Sequence, residues 1–301
     1  MKKLLVSLLI VMAVVPLAAV DEARLHAAYE TEIRPYVEAN STTGKLTVSD
    51  GTVLSYRALV KPDAHVVVVL VGGHTESYVK YSELLYDFRE ANISIYALDH
   101  RGQGFSTRML PDPEKDHVSD YNSYIDDLDS FLREVVDPKE DETLLLVGQS
   151  FGAAVAAAYA ERFPASVDGL IMSSPYVSIK ASALAVAFVG MTTLFGGGEK
   201  YVPGGGPYVP VAFEDNKETH SKARHERKLQ DYVDYPAIRL GFPTNRWIVE
   251  IEKLGREIRR NAKDIICPTL VFHAEIDEYV QRRTQNALSA GIQNSKTVLL
   301  E

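Results

Sequence analysis

A serine lies at the centre of the pentapeptide Gly148-Gln149-Ser150-Phe151-Gly152, which has the form G-x-S-x-G. It follows the apolar run Leu144 to Val147 and precedes the small-residue stretch Ala153 to Ala160. In such a strand–turn–helix context the motif forms a tight elbow that exposes the serine hydroxyl. We therefore predict that Ser150 is a nucleophile for acyl transfer. The alternative is a bystander serine in a glycine-rich turn.

A serine hydroxyl is a weak nucleophile near neutral pH, so it needs a base, and that base needs a carboxylate to orient it. Where the elbow joins a strand to a helix of an α/β sheet, the chain order is serine, acid, histidine. Asp277 follows the apolar run Leu270 to Phe272 and is our candidate for the acid. Glu275 and Glu278 are neighbouring alternatives.

Acyl transfer also requires two backbone N–H groups that point at the oxygen on which negative charge develops. One should come from Phe151, directly after the nucleophile. The other should come from the loop Gly72-Gly73-His74-Thr75, which follows the apolar run Val66 to Val71. The amides of His74 and Phe151 are thus the candidate oxyanion-hole donors, and the His74 imidazole is treated as incidental.

The elements that must position these residues alternate along the chain. Continuous apolar runs predict strands that are buried on both faces of a parallel sheet, and the stretches between them predict crossover helices. The predicted strands of this set are Val66–Val71, Ile93–Leu98, Leu144–Val147, Leu170–Met172, Leu270–Phe272 and Val298–Leu300. The predicted helices are Tyr78–Ala91, Tyr121–Val136, Ala153–Phe163 and Thr284–Ala290. The fold class is therefore α/β, with a mostly parallel, doubly wound sheet.

The alternation breaks between Pro175 and Arg260, where no convincing strand occurs. We interpret this region as a mainly helical cap inserted into the core. Its apolar stretch Ala181 to Phe195 is either a buried helix or a wall for an acyl chain. The predicted segments are a signal peptide or anchor (1–20), an N-terminal helical segment (21–43), two parts of the core (44–175 and 261–301) and the cap (176–260).

The N-terminus has the pattern of a targeting segment. Lys2 and Lys3 precede an apolar run from Leu4 to Val20 that ends in small residues. This pattern predicts an export signal cut near Ala19 or Val20. An uncleaved anchor is the alternative, because 17 apolar residues only just reach the length of a membrane span. Either form places the globular part in the periplasm or outside the cell, and an uncleaved segment would also anchor it to the membrane.

The amino-acid composition of the chain excludes several classes of function and of site. The 301 residues include 32 Lys and Arg against 41 Asp and Glu, a net charge of −9, with 46% apolar and 24% charged residues. These values are typical of a soluble globular protein and argue against a nucleic-acid binder, which needs a basic surface. The single cysteine, Cys267, excludes an intrachain disulfide and zinc clusters built from several cysteines.

Several longer motifs support a specific resemblance. The segments Gly73–Tyr81 (GHTESYVKY) and Asp99–Ser106 (DHRGQGFS) resemble the lysophospholipase L2 family, a branch of the α/β hydrolases. That branch is also similar to monoacylglycerol lipases and has a serine aminopeptidase S33-type hydrolase domain. Further matching segments are His117-Val118, Tyr124–Leu128, Thr219–Ser221 and Pro268–Leu270. The resemblance runs from about Gly44 to the end of the sequence.

The resemblance implies an α/β-hydrolase fold and a serine ester hydrolase that needs no metal or organic cofactor. Its substrates would be lysophospholipids or monoacylglycerol-like esters, cleaved through an acyl-enzyme on Ser150. A membrane surface is a candidate partner, and the oligomeric state is open. Asp277 matches the triad acid, and His74 and Phe151 match the oxyanion donors. The chain departs from many relatives in carrying Gly72 where they have histidine, and Gln149 where histidine is usual.

A third departure concerns the base. The family's catalytic histidine follows the acid after one helix and one strand, and here that strand is Val298 to Leu300. All eight histidines precede Asp277, at positions 26, 65, 74, 100, 117, 220, 225 and 273. One interpretation is that the sequence lacks a C-terminal part that carries the histidine. The other is a naturally truncated, catalytically silent relative that still binds lipid.

Three other features have structural interpretations. Asp99-His100-Arg101 is predicted to fix a loop through a buried pair of arginine and carboxylate. The basic run Lys222 to Lys228 is typical of a solvated helix face, and contact with anionic head groups is its functional alternative. Trp247 is predicted to lie in the core.

Overall fold

The computed structural model describes residues 19–300. The predicted targeting segment, residues 1–20, lies outside the described residues except for Ala19 and Val20. The export signal and its anchor alternative therefore stay predictions.

A single eight-stranded sheet forms the centre of the molecule, in the order β1-β2-β4-β3-β5-β6-β7-β8. The strands are β1 Thr42–Thr47, β2 Val53–Leu59, β3 Val66–Val71, β4 Ser94–Leu98, β5 Thr143–Gln149, β6 Gly169–Ser173, β7 Thr269–Ala274 and β8 Ser295–Leu300. β2 pairs antiparallel with β1 and with β4, and the remaining pairs are parallel. The predicted α/β class with a mostly parallel sheet is confirmed.

Helices cover both faces of this sheet. The α-helices are α1 Leu25–Ala28, α2 Arg34–Asn40, α3 Ser82–Asp87, α4 Asn122–Phe131, α5 Phe151–Arg162, α6 Ala183–Thr192, α7 Lys222–Asp234, α8 Asn245–Arg260 and α9 Arg282–Gly291. Short 3₁₀ segments are Glu22–Arg24, Tyr78–Tyr81, Phe213–Asp215, Pro236–Ile238 and Ala262–Asp264, and π segments are Tyr29–Ile33, Leu132–Val136 and Thr193–Gly197. The helix predicted for Tyr78–Ala91 is wrong at both ends. It begins as a 3₁₀ turn and ends at Asp87, because Arg89 and Ala91 donate backbone hydrogen bonds only three residues back.

The apolar strands are buried because helices lie on both of their faces. All five residues of β4 are buried, and so are the first ten residues of α5, from Phe151 to Ala160. The alanines of α5 leave little side-chain bulk between helix and sheet. The helix therefore packs closely on β3 and β5, and this close packing fixes the start of α5 relative to the strand ends.

The region between β6 and β7 contains α6, α7 and α8. The structure corrects the interpretation of the apolar stretch Ala181–Phe195 as a buried helix. Leu184 and Leu194 are 84% and 80% exposed, and Val189 is the one buried residue of α6. The stretch is apolar on all sides, so its composition could not indicate which side packs against the protein. Trp247 of α8 is 3% exposed, and its predicted core position is confirmed.

Between residues 19 and 300, no helix combines the length and the hydrophobicity that a membrane crossing requires.

Candidate active site

The elbow lies where β5 ends and α5 begins. Ser150 has φ 49° and ψ −115°, a conformation that residues other than glycine rarely adopt. Its N–H donates to the carbonyl of Ser173 at 2.8 Å, and its carbonyl accepts from the amide of Tyr176 at 3.0 Å. These two bonds hold the strained residue against the end of β6. Strain of this kind persists where the surrounding structure fixes it, which is common at catalytic residues.

Two glycines make the elbow possible. A Cβ atom on Gly148 would lie 2.5 Å from the Cα of Ala153, and one on Gly152 would lie 2.1 Å from the carbonyl oxygen of Val71. Neither contact involves a flexible side chain that could move away. The glycines of the G-x-S-x-G motif are therefore required by close backbone packing.

The loop after β3 carries the other predicted donor. A Cβ atom on Gly73 would lie 3.4 Å from the carbonyl oxygen of Gln149, so this loop packs beside the elbow. The side chains of His74 and Phe151 both contact the Trp247 indole, with ring centroids 4.6 and 5.5 Å away. Within residues 19–300 neither the His74 amide nor the Phe151 amide donates a hydrogen bond to the protein. Both N–H groups are free to bind an oxyanion, and their role stays a prediction.

The peptide groups on either side of His74 are held by buried polar side chains. The amide of Gly73 donates to Oε2 of Glu76 at 2.8 Å, and the amide of Thr75 donates to Oε1 of Gln103 at 2.7 Å. Nε2 of His100 lies 3.0 Å from the carbonyl oxygen of Gly72. The loop is thus fixed at three peptide groups without using the N–H of His74.

Glu76 connects this loop to the elbow. Its carboxylate accepts from the Tyr81 hydroxyl at 2.6 Å and from Nζ of Lys80, which also donates to Oε1 of Gln149 at 3.1 Å. Burial raises the pKa of Glu76, but Lys80, Tyr81 and the Gly73 amide favour the charged form and hold the pKa below its ordinary value. Gln149, a departure from many relatives, is therefore part of a hydrogen-bond network under the site.

The His74 imidazole lies beside a buried carboxylate that the sequence does not indicate. Its Nε2 lies 3.0 Å from Oδ2 of Asp116, which is fully buried. Asp116 directly precedes the segment His117-Val118 that resembled the family, so the motif indicated the region but not the contact.

The interpretation of Asp99-His100-Arg101 as a structural segment is confirmed. Asp99 is 1% exposed and accepts from the amides of Tyr78 at 2.6 Å and Phe105 at 2.8 Å. Arg101 donates two hydrogen bonds, of 2.7 and 2.6 Å, to the buried carboxylate of Asp127. These contacts fix the loop after β4 underneath the loop that carries His74.

His100 should make the protein sensitive to acid. Burial lowers the pKa of His100 to about 4, against about 6.5 for the unfolded chain. Between these values the unfolded state binds a proton that the folded state does not, so the free energy of unfolding falls as the pH falls from 6.5 to 4. We expect His100 to contribute on the order of 3 kcal/mol to this loss.

The measurement is urea unfolding of the wild type and His100→Gln at pH 7 and pH 4. The variant keeps a donor for Gly72 but cannot titrate, so its loss of stability between the two pH values should be smaller. The exposed His65→Gln is the control and should behave as the wild type. An equal loss in all three proteins would contradict a buried neutral His100.

Asp277 lies in the loop between β7 and α9. Its Oδ1 accepts from the amides of Tyr279 and Val280, both at 2.9 Å, and its Oδ2 accepts from Nε2 of Gln285 at 3.2 Å. Both alternative acids, Glu275 and Glu278, have exposed side chains. The three hydrogen bonds give Asp277 a fixed carboxylate, as a triad acid requires.

Gln285 also connects the acid loop to the elbow. Its Nε2 lies 3.4 Å from the carbonyl oxygen of Pro175, and the next residue, Tyr176, donates to the carbonyl of Ser150. Gln285 is fully buried, and no sequence signal had selected it. The structure therefore brings Ser150 and Asp277 to the same end of the sheet.

None of the eight histidines forms a hydrogen bond or ion pair with Ser150 or Asp277 in the part of the chain that the structure describes. His273 shares a hydrogen-bond partner with Asp277, because its Nδ1 lies 3.0 Å from Oε1 of Gln285. It is 1% exposed within β7, as its position in the sequence predicted. The base is thus not assigned among these histidines.

The basic run Lys222 to Lys228 of α7 is neutralised within the protein. The partners of its four cationic side chains are acidic: Glu226 for Lys222, Glu83 for Arg224, Asp231 and Asp234 for Arg227, and Glu218 for Lys228. The solvated-face interpretation agrees with these pairs better than contact with anionic head groups does.

A comparison with known proteins identifies the family of this chain. A family model described as serine aminopeptidase, S33, matches residues 62–300. The chain belongs to this family. The predicted S33-type hydrolase domain is confirmed, and the matched region of this S33 protein contains Ser150, Asp277 and both candidate oxyanion donors.

Its relatives agree with the predicted branch. Lysophospholipase L2 of Escherichia coli strain K12 is 35% identical over 223 residues, 72% of this chain and 65% of that protein. The chain thus spans slightly less than two thirds of that relative's length. A probable lysophospholipase L2 of Haemophilus influenzae is 29% identical over 284 residues, 92% of this chain and 89% of that protein. A monoacylglycerol lipase of Mycolicibacterium smegmatis is 24% identical over 218 residues, 72% of each chain.

Solved structures confirm the α/β-hydrolase fold of this S33 protein. A carboxyl esterase from Bacillus coagulans in complex with glycerol has a TM-score of 0.67 at 16% identity, covering 86% of this chain and 89% of that one. A monoglyceride lipase variant from Saccharomyces cerevisiae has a TM-score of 0.67 at 15% identity, covering 86% of both chains.

Proposed function

We propose that the protein is a serine ester hydrolase that cleaves the fatty-acyl ester of a lysophospholipid or monoacylglycerol-like substrate. The observation that carries the proposal is the strained Ser150 at the end of β5, beside two backbone amides without partners in the described structure. Similarity to lysophospholipases L2 and to a monoacylglycerol lipase supports the substrate class.

The proposed reaction is acyl transfer through Ser150. Ser150 Oγ attacks the ester carbonyl carbon and gives its proton to a histidine base. The amides of His74 and Phe151 stabilise the negative oxygen of the tetrahedral intermediate. In a site that excludes water, each such donor lowers the activation free energy by on the order of 3 kcal/mol. The protonated base then donates to the departing alcohol oxygen, and water hydrolyses the acyl-enzyme to release the fatty acid.

In this mechanism Asp277 orients the base and stabilises its charged form. Its two oxygens are already fixed by backbone amides and Gln285, so the Asp277 carboxylate needs little movement to accept a hydrogen bond from the base. The base is not assigned, because no histidine within residues 19–300 pairs with Ser150 or Asp277.

The test uses the purified full chain. Purified protein is incubated with 1-acyl lysophospholipid and, separately, with monoacylglycerol, and the released fatty acid is measured by mass spectrometry. Release from at least one substrate, in proportion to the enzyme, supports the proposal. Release from neither, with the protein folded, contradicts it.

A catalytically silent lipid-binding relative is the second candidate. One observation favours it: within residues 19–300 no histidine pairs with Ser150 or Asp277. Such a protein would bind lysophospholipid without releasing fatty acid, so the same incubation, combined with a binding measurement, separates the two candidates.

We also propose that the protein acts at a membrane surface through the outer face of α6 and the following π segment. Five large apolar side chains there are exposed: Leu184, Phe188, Met191, Leu194 and Phe195. The sequence carries no charge from Ala181 to Gly198. Soluble proteins rarely expose so many neighbouring apolar side chains without an interaction partner. A lipid surface would also be the source of the proposed substrate.

Two serine substitutions in this face should weaken membrane binding. Burying a leucine or phenylalanine side chain contributes about 1.5–3 kcal/mol, so Phe188→Ser with Leu194→Ser should lower the affinity for vesicles by at least about tenfold. The measurement is co-sedimentation of the full chain with phosphatidylethanolamine–phosphatidylglycerol vesicles. Val233→Ser, which alters an exposed apolar residue of α7, is the control. Equal binding of all three proteins would contradict this role of α6.

Export from the cytoplasm is proposed on the sequence of residues 1–20. The basic pair Lys2 and Lys3, the apolar run after it and the small residues at its end support export. The lone, buried Cys267 is compatible with an oxidising compartment.

A further inference from the structure

Thr75 has an unusual backbone conformation directly after the candidate oxyanion donor His74. Its φ is +63°, in the left-handed region that a β-branched residue seldom occupies. The loop is therefore strained at Thr75. A strained residue keeps its conformation only where neighbouring groups hold it.

Two hydrogen bonds hold Thr75 from opposite sides. Its amide donates to Oε1 of Gln103, a fully buried side chain of the core. Its carbonyl oxygen accepts from the hydroxyl of Tyr232 at 3.1 Å. Tyr232 belongs to α7, so this second bond joins the oxyanion loop to the cap.

Tyr232 is itself firmly placed. It is 6% exposed, and its carbonyl accepts from Nε of Arg239 at 2.7 Å. One residue earlier, Asp231 pairs with Arg227, which also reaches Glu30 of the N-terminal segment. The position of the Tyr232 hydroxyl is therefore set by how α7 lies on the rest of the protein.

We propose that Tyr232 is a positioning residue through which the cap sets the geometry of the oxyanion loop. The hydroxyl holds Thr75 in its strained conformation, and Thr75 in turn fixes the orientation of the His74 peptide groups. The inference rests on the proposed function, since it assigns the His74 amide to the oxyanion. It implies that the oxyanion hole is fully formed only when α7 is seated on the loop.

The chain offers a matched control for this role. Tyr208 packs edge-to-face against Tyr232 with ring centroids 4.9 Å apart, and among the described residues its buried hydroxyl has no hydrogen-bond partner. Tyr232→Phe and Tyr208→Phe each remove one hydroxyl from the same pair of rings. Only the first variant loses a contact with the oxyanion loop.

The first readout is kinetic and uses a short soluble ester, p-nitrophenyl acetate, which needs no acyl wall. Oxyanion contacts act mainly in the transition state, so Tyr232→Phe should lower kcat about tenfold with KM changed less than about twofold. Tyr208→Phe should stay within about twofold of wild type in both constants. Equal kcat values for the two variants would overturn the proposal.

A second background tests whether strain at Thr75 is the reason. Glycine adopts a φ of +63° without penalty, so a loop with Thr75→Gly depends less on the Tyr232 hydrogen bond to keep its conformation. In that background Tyr232→Phe should lower kcat less than about threefold. A tenfold loss in both backgrounds would show additive effects and would contradict the coupling between Tyr232 and Thr75.

The third readout does not depend on turnover. Hydrogen–deuterium exchange of the peptide covering residues 72–77 should be faster in Tyr232→Phe and unchanged in Tyr208→Phe. Unchanged exchange in both variants would overturn the positioning role. If exchange responds but Ser150→Ala retains wild-type turnover of the ester, the proposed function fails while Tyr232 still positions the loop.

Discussion

Ser150→Ala should reduce the release of fatty acid by four orders of magnitude or more, with little change in substrate binding. The substitution removes the only atom that forms the acyl-enzyme, and a triad that loses its nucleophile retains a small residual rate from the oxyanion hole and binding alone. The measurement is fatty-acid release from lysophospholipid and monoacylglycerol by the full chain, with substrate affinity determined in parallel.

Ser174→Ala is a matched control for this substitution. Ser174 directly follows β6, next to β5 in the sheet, and also has a positive φ, 43°. It differs from Ser150 in lying outside the G-x-S-x-G motif. We expect its turnover to stay within about threefold of wild type. A loss in Ser174→Ala as large as that in Ser150→Ala would indicate a damaged fold and would remove the support for Ser150 as the nucleophile.

Asp127→Ala should lower the free energy of unfolding by about 3–5 kcal/mol, because it leaves the buried guanidinium of Arg101 without its main partner. The Asp127 side chain is 2% exposed and that of Arg101 6%, and two hydrogen bonds join them. The second carboxylate near Arg101, Asp50, is half exposed and cannot replace a buried pair. Urea unfolding monitored by circular dichroism measures the loss.

The neighbouring residue provides the comparison. Asp126 pairs with Arg162 at 2.9 Å, but its side chain is 67% exposed. A surface pair of this kind contributes at most about 1 kcal/mol, so Asp126→Ala should unfold nearly as the wild type does. Similar losses in the two variants would mean that burial of the Arg101–Asp127 pair does not decide its contribution.

The predictable part of the molecule is the part that local sequence encodes. Strands such as Val66–Val71 are continuous apolar runs because both of their faces are buried, and that requirement is visible in the residue types. The elbow is equally visible, since Gly148 and Gly152 are the residue type that the contacts with Ala153 and Val71 permit. Ser150 could be selected as a candidate for these reasons.

The region between β6 and β7 was less predictable because its contacts depend on the tertiary structure. The apolar stretch Ala181–Phe195 suits a buried helix or an exposed apolar face equally well by composition, and the structure shows the exposed form. Tyr232 lies in the same helix as the basic run Lys222 to Lys228 but four residues beyond it, where the sequence has no motif that marks it. Its contact with Thr75 joins residues 157 positions apart, and no local pattern encodes such a pair.

Covalent labelling of the full chain by a fluorophosphonate, followed by peptide mapping, tests whether Ser150 is the nucleophile. An activated serine at the elbow should react with the phosphorus centre, so we expect a single labelled peptide with the adduct on Ser150 and no adduct in Ser150→Ala. Folded protein that stays unlabelled, or an adduct that persists at full intensity in Ser150→Ala, would contradict this role of Ser150.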